Sequence, residues 1–102
     1  MTVEFIRKEI ENQHYEISIH ADDERIADGL RIDDIEFALL SGEIIEHYPT
    51  DPRGKSCLVL GFTEKRKPIH IVCGKNHSVH LIIITVYIPS MPKWKDERTR
   101  KQ

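Results

Sequence analysis

The chain has 102 residues, 39% hydrophobic and 31% charged, with a formal net charge of −2. That length holds one domain around a modest single core. The longest apolar run, residues 81–86, falls far short of the roughly 20 residues that span a bilayer, so the composition excludes a membrane-spanning protein.

The elements follow in chain order. Val3, Ile6 and Ile10 fall at helical spacing behind Thr2, a good N-cap, which predicts a short amphipathic helix over 3–11. The charged N-terminus lacks the uniform apolar stretch of a signal peptide, and the chain reads as cytoplasmic. Residues 15–19 alternate apolar and polar and predict a strand. Helical spacing over 21–29 stops at Gly29, and the Asp33 and Glu36 spacing of a capping box opens a third helix over 33–41, ended by Gly42. From residue 43 the pattern is β: strands over 43–48, 56–63, 68–74 and 79–88, separated by a Pro- and Gly-bearing loop at 49–54, a charged tip at 64–67 and a polar turn around Asn76. The last strand is apolar on both faces, as in a central or doubly covered strand.

Helix–strand–helix–helix–four strands is an α+β order, with N-terminal helices packed on an antiparallel β-sheet meander. Residues 1–90 form the domain. Residues 91–102 form a basic tail of charge +3, with Lys93, Lys95, Arg98, Arg100 and Lys101 against Asp96 and Glu97, beside a body of charge −5. Such a tail reads as a solvated segment on which Trp94 docks back. An acidic body is a handicap for any nucleic-acid partner, which prefers a basic face.

Pairing Thr63 with Pro68 and Gly74 with Val79 puts His70, Gly61, Ile83, Thr85 and Tyr87 on one sheet face. Ile69, Ile71, Cys73, Leu58, Leu60 and Phe62 then share the other, and a one-residue slip reverses part of this. A histidine between Ile69 and Ile71 is either satisfied internally, Tyr87 being one partner, or a working group on a concave sheet surface. His20 stands at a strand-to-helix junction beside Ser18. Either residue is a plain cap there, or His20 is an acid/base or phosphate-contacting group near exposed helix N–H groups. Cys57 and Cys73 lack CxxC spacing and read as buried apolar residues. The six histidines show no HxxxH or HxH spacing, so neither a metal site nor a cofactor is expected. Phosphate loops, nucleophile elbows and dinucleotide fingerprints are missing from the sequence.

The ordered set Tyr15-x-Ile17-Ser18-x-His20-Ala21, Gly29-Leu30, Asp34-Ile35-Glu36, residues 42–46, residues 58–61, residues 68–72 and Ile83-Ile84-Thr85-x-Tyr87 resembles the domain of unknown function 4258 family over about residues 10–95. That family is loosely similar to RelE-like toxin domains. The resemblance implies a RelE-toxin-like layout of helices before an antiparallel sheet, with RNA bound on the sheet face in the cleaving members. Its matched polar positions are Ser18, His20, Glu24, His70, Thr85 and Tyr87. The resulting expectation is a metal-independent endoribonuclease with His20, His70 and Tyr87 catalytic and Ser18, Arg53, Lys55, Lys75 and Thr85 contacting substrate. RNA is then the partner, with an antitoxin as a protein partner. The alternative is a non-catalytic interaction module or homodimer.

Overall fold

The computed structural model describes residues 1–52, 54–90, 94 and 96–100. Its elements are α1 (Val3–Glu11), β1 (Tyr15–Ile17), α2 (Ile19–Ala27), α3 (Ile32–Ser41), β2 (Glu43–Tyr48), β3 (Ser56–Phe62), β4 (Pro68–Lys75) and β5 (Leu81–Tyr87). Thr2 caps α1 by accepting from Phe5 N–H at 3.1 Å. Ser18 caps α2 by accepting from Ala21 N–H at 3.0 Å, so this helix starts two residues earlier than its spacing suggested. Gly29 takes a left-handed φ of +70°, and Leu30 N–H returns to the Arg25 carbonyl to close the helix end. α3 also starts early. The carboxylate that reaches back is Asp34, accepting from Arg31 N–H at 2.8 Å, in place of the expected Asp33–Glu36 pair.

The strands form one five-stranded sheet in the order β1-β5-β4-β3-β2. β2 to β5 are the expected antiparallel meander. β1 adds to the far edge in parallel with β5, pairing Tyr15 with Leu81 and Ile17 with Ile83. The sheet is therefore mixed, and the fold is α+β with the helices on one face. That face and the helices bury Ile6, Ile10, Ala21, Ile35, Leu39, Val59, Ile69, Ile71 and Ile83, each under 5% exposed. Cys57 and Cys73 face each other across β3 and β4 in this core as free thiols.

The register differs from the expected one. The tip at 64–67 closes on Phe62 and Pro68, with Thr63 N–H bonded to the Lys67 carbonyl and Arg66 in the left-handed region. The slip sends Leu58, Leu60 and Phe62 to the face away from the helices and turns Gly61 toward them. A Cβ on Gly61 would stand 2.6 Å from the Ala38 Cβ. The glycine thus admits α3 and does not open space beside His70. A bulge between Val72 and Cys73 then shifts the other side of β4, so that His70 lies opposite Tyr87 and Val72 opposite Thr85. Ile83 moves to the helix face.

A second, smaller core forms on this outer face. Leu58, Leu60, His70 and Trp94 are all within 2% of full burial. A bulge between Ile44 and Glu46 on the edge strand leaves Glu43 opposite Leu60 and Glu46 opposite Leu58. Glu43 pairs with Arg98, and Glu46 takes Arg100 through two guanidinium nitrogens at 2.8 and 3.1 Å. Arg100 also lies 4.5 Å over the Trp94 ring. Two of the tail's cations thus pair with carboxylates of the body.

Candidate functional site

His70 is fully buried. Its Nε2 is 2.6 Å from the Glu97 carbonyl oxygen, which can only accept, so the proton is on Nε2. Its Nδ1, 3.1 Å from the Tyr87 hydroxyl, accepts. Trp94 stacks edge-on at 4.4 Å between centroids. Burial pushes the His70 pKa below its ordinary value, opposed by the Glu97 carbonyl and the Glu46 carboxylate. Both ring nitrogens are committed and no solvent reaches the ring. This is a neutral, structural imidazole that fastens the tail to the sheet. Tyr87 is spent on the same contact, and burial raises its hydroxyl pKa. The pairing of Thr85 with Val72 sets it beside this cluster.

His20 lies elsewhere. It is in the first turn of α2 with most of its side chain exposed, and Glu24 is 3.3 Å from its Nε2. Glu24 is itself held by the Val86 N–H at 3.0 Å. His20 and Glu24 form an i,i+4 pair along the exposed side of α2. His20 borders an open groove of about 510 Å³ near the β4–β5 turn. β1 and the start of α2 supply Glu16, Ser18 and His20. Lys55, ahead of β3, and Lys75 and His77, at the β4–β5 turn, face them, over a floor of Gly74, Ile82 and Ile84. A Cβ on Gly74 would press to 3.0 Å of Ile84, so the glycine keeps the floor low.

Of the residues expected to act together, the groove gathers Ser18, His20, Lys55 and Lys75. It does not include His70, Tyr87 or Thr85. His70 is sealed under Trp94 with both ring nitrogens committed. The expected His20–His70 pair therefore does not assemble. Arg53 lies outside the described residues. Ser18 Oγ is committed, donating to the Ile84 carbonyl at 2.9 Å while capping α2. Lys75 forms wall, but its ammonium sits 4.7 Å over the Phe5 ring on the helix side. Among the described residues that line the groove, Lys55 is thus the cation left to serve it.

His77 is the residue that sequence reasoning passed over. It sits in a turn built by Asn76, whose side chain accepts from Ser78 and His80 N–H, and by Val79 at φ +61°. The parallel docking of β1 beside β5 sets this turn next to the start of β1, at the other end of the groove from the start of α2, and no short-range pattern signals that.

Two further features lie outside the groove. Tyr15 donates to Glu36, and burial together with that carboxylate raises its hydroxyl pKa. Ile19, Ile26, Phe37 and Leu40 remain exposed on α2 and α3. Among the described residues no helix is long and apolar enough to cross a membrane.

Comparison with protein families matches residues 17–88, well over half of the chain, to the model described as domain of unknown function (DUF4258). The curated proteins contain no match. The solved structures contain none either.

Proposed function

The chain belongs to the DUF4258 family, and from that premise we propose that it is a toxin-like, metal-independent endoribonuclease whose site is the groove beside the β4–β5 turn. The observation that carries the reading is that His20, His77 and Lys55 line one groove with an apolar floor. Two imidazoles and an ammonium are what phosphodiester cleavage by RNA's own hydroxyl requires. The 2′-oxygen attacks the adjacent phosphorus, and the His20 imidazole takes its proton. The 5′-oxygen leaves with a proton from His77. The products are a 2′,3′-cyclic phosphate and a 5′-hydroxyl end. Lys55 neutralises charge on the pentacoordinate phosphorus, and Ile82 and Ile84 offer a flat surface for a base. Positioned acid and base groups each contribute about 10²–10⁴-fold. Arg98 and Arg100 are engaged with Glu43 and Glu46, so few phosphates are contacted and RNA affinity is modest.

The test is cleavage of a mixed single-stranded RNA by the full chain in EDTA. Wild type should release cyclic-phosphate ends, and His20→Ala and His77→Ala should each lower the rate at least 100-fold with the fold intact by circular dichroism. Cleavage indifferent to both substitutions, or no cleavage at high protein concentration, rejects the reading.

The second reading is a non-catalytic interaction module, an antitoxin-type partner or a second copy being its ligand. Ile19 at 83% and Ile26 at 60% exposure, seven residues apart on one side of α2, favour it.

A further inference from the structure

The parallel ladder that places β1 beside β5 has a second result. With Tyr15 opposite Leu81, the residues just before them, His14 and His80, stand side by side, and Leu81 N–H bonds to the His14 carbonyl. Their rings are 4.7 Å apart. Glu9, in the last turn of α1, points at both. Its Oε1 is 2.8 Å from His80 Nδ1 and its Oε2 is 3.9 Å from His14 Nδ1.

From this geometry we infer that Glu9, His14 and His80 form a binding site for a divalent transition-metal ion of the zinc type. The state of Glu9 is the physical argument. It is 5% exposed, and it sits at the end of α1 where the helix macrodipole is negative and opposes a carboxylate. A buried carboxylate there needs a cation. Among the described residues its side chain meets only these two histidines. Two imidazoles and one carboxylate are a zinc ligand set, with water completing the shell. One ligand atom from each residue can be chosen so that all lie within 4.8 Å of one another. Bonds of about 2.0–2.2 Å to one ion require the ligand atoms to draw roughly 1 Å closer. The half-exposed histidine rings can supply that by rotating, while the buried carboxylate stays fixed. The ion would clip the end of α1 to the start of β5. The ion's site shares no residue with the groove, so the ribonuclease reading stands or falls without it.

The experiment is calorimetric titration of Zn²⁺ into the chelator-stripped full chain, beside His14→Ala, His80→Ala and the double variant. Wild type should bind one ion at micromolar or better affinity and melt at higher temperature with Zn²⁺ than with EDTA. Each single substitution should weaken binding at least tenfold, and the double variant should lose the melting shift. Co²⁺ in the same site should show visible d–d bands without a thiolate charge-transfer band, since Cys57 and Cys73 are buried elsewhere. Both substitutions are at accessible side chains, so the variants should fold. No binding by wild type overturns the inference, and so does affinity unchanged in the double variant, which would assign the ion to other histidines.

Discussion

Acidification should loosen this protein through one residue. His70 is fully buried and neutral, with Nε2–H donated to Glu97 and Nδ1 occupied by Tyr87. Burial is the main reason its pKa lies below the ordinary 6.5. The groups facing it are Tyr87 from β5, Glu46 from β2, and Trp94, Glu97 and Arg100 from the tail. Because the folded value is the lower one, the unfolded chain binds the extra proton in the interval between them. The stability from keeping His70 neutral is complete above pH 6.5 and is lost as pH falls from there to the folded value. The steepest loss one group can give is about 1.4 kcal/mol per pH unit. Between pH 7.5 and 5.5 the loss should therefore be at most about 1.4 kcal/mol, which can be a sizeable part of the 5–15 kcal/mol that holds a typical domain. Trp94, the only tryptophan, lies against the His70 ring and reports the transition directly. Urea unfolding followed by its fluorescence at both pH values measures the loss, and His70→Gln removes the titrating group while its amide can still donate to Glu97. Other histidines contribute equally to wild type and variant, so the difference between the two slopes isolates His70. Equal slopes in wild type and His70→Gln, or a wild type no less stable at pH 5.5, would refute the reasoning.

Two further outcomes are expected. Gly61→Ala should cost about 1–3 kcal/mol, because the new methyl group meets Ala38 of α3 and the helix must shift; urea denaturation with an unchanged slope is the check. Cys57 and Cys73 should resist thiol reagents in the native state, since both are fully buried and burial pushes the Cys57 thiol up to about 11; labelling should appear only with urea and track global unfolding.

Much of the fold was legible because its causes are local. Thr2 with Val3, Ile6 and Ile10 specifies α1 to the residue, and the glycines at 29 and 42 mark where α2 and α3 stop. The edge strand β2 was legible in the same way, over Glu43–Tyr48. The face assignment was less legible. A period-two pattern survives a one-residue slip when both faces carry apolar residues, as β3 does with Cys57, Val59 and Gly61 on one side and Leu58, Leu60 and Phe62 on the other. The turn at Arg66 and the bulge at Val72 decide that register, and both are properties of the paired strands.

The candidate site divides along the same line. His20 was visible as a junction residue, and Ser18 as a cap, because a strand hands over to a helix there. By itself the sequence determined the element order, the α+β class, the ends of the helices, and an acidic body with a basic tail. Only the tertiary structure decided that the tail's arginines meet Glu43 and Glu46, that Trp94 seals His70 away from solvent, and that His77 lines the same groove as His20. It also decided that His14 and His80 converge on Glu9. The physical reason is sequence distance. Caps and periodicities act within a few residues, whereas β1 docks on a strand 66 residues away and the tail folds back over strands some 50 residues earlier. Those contacts are selected by what the whole chain can bury at once.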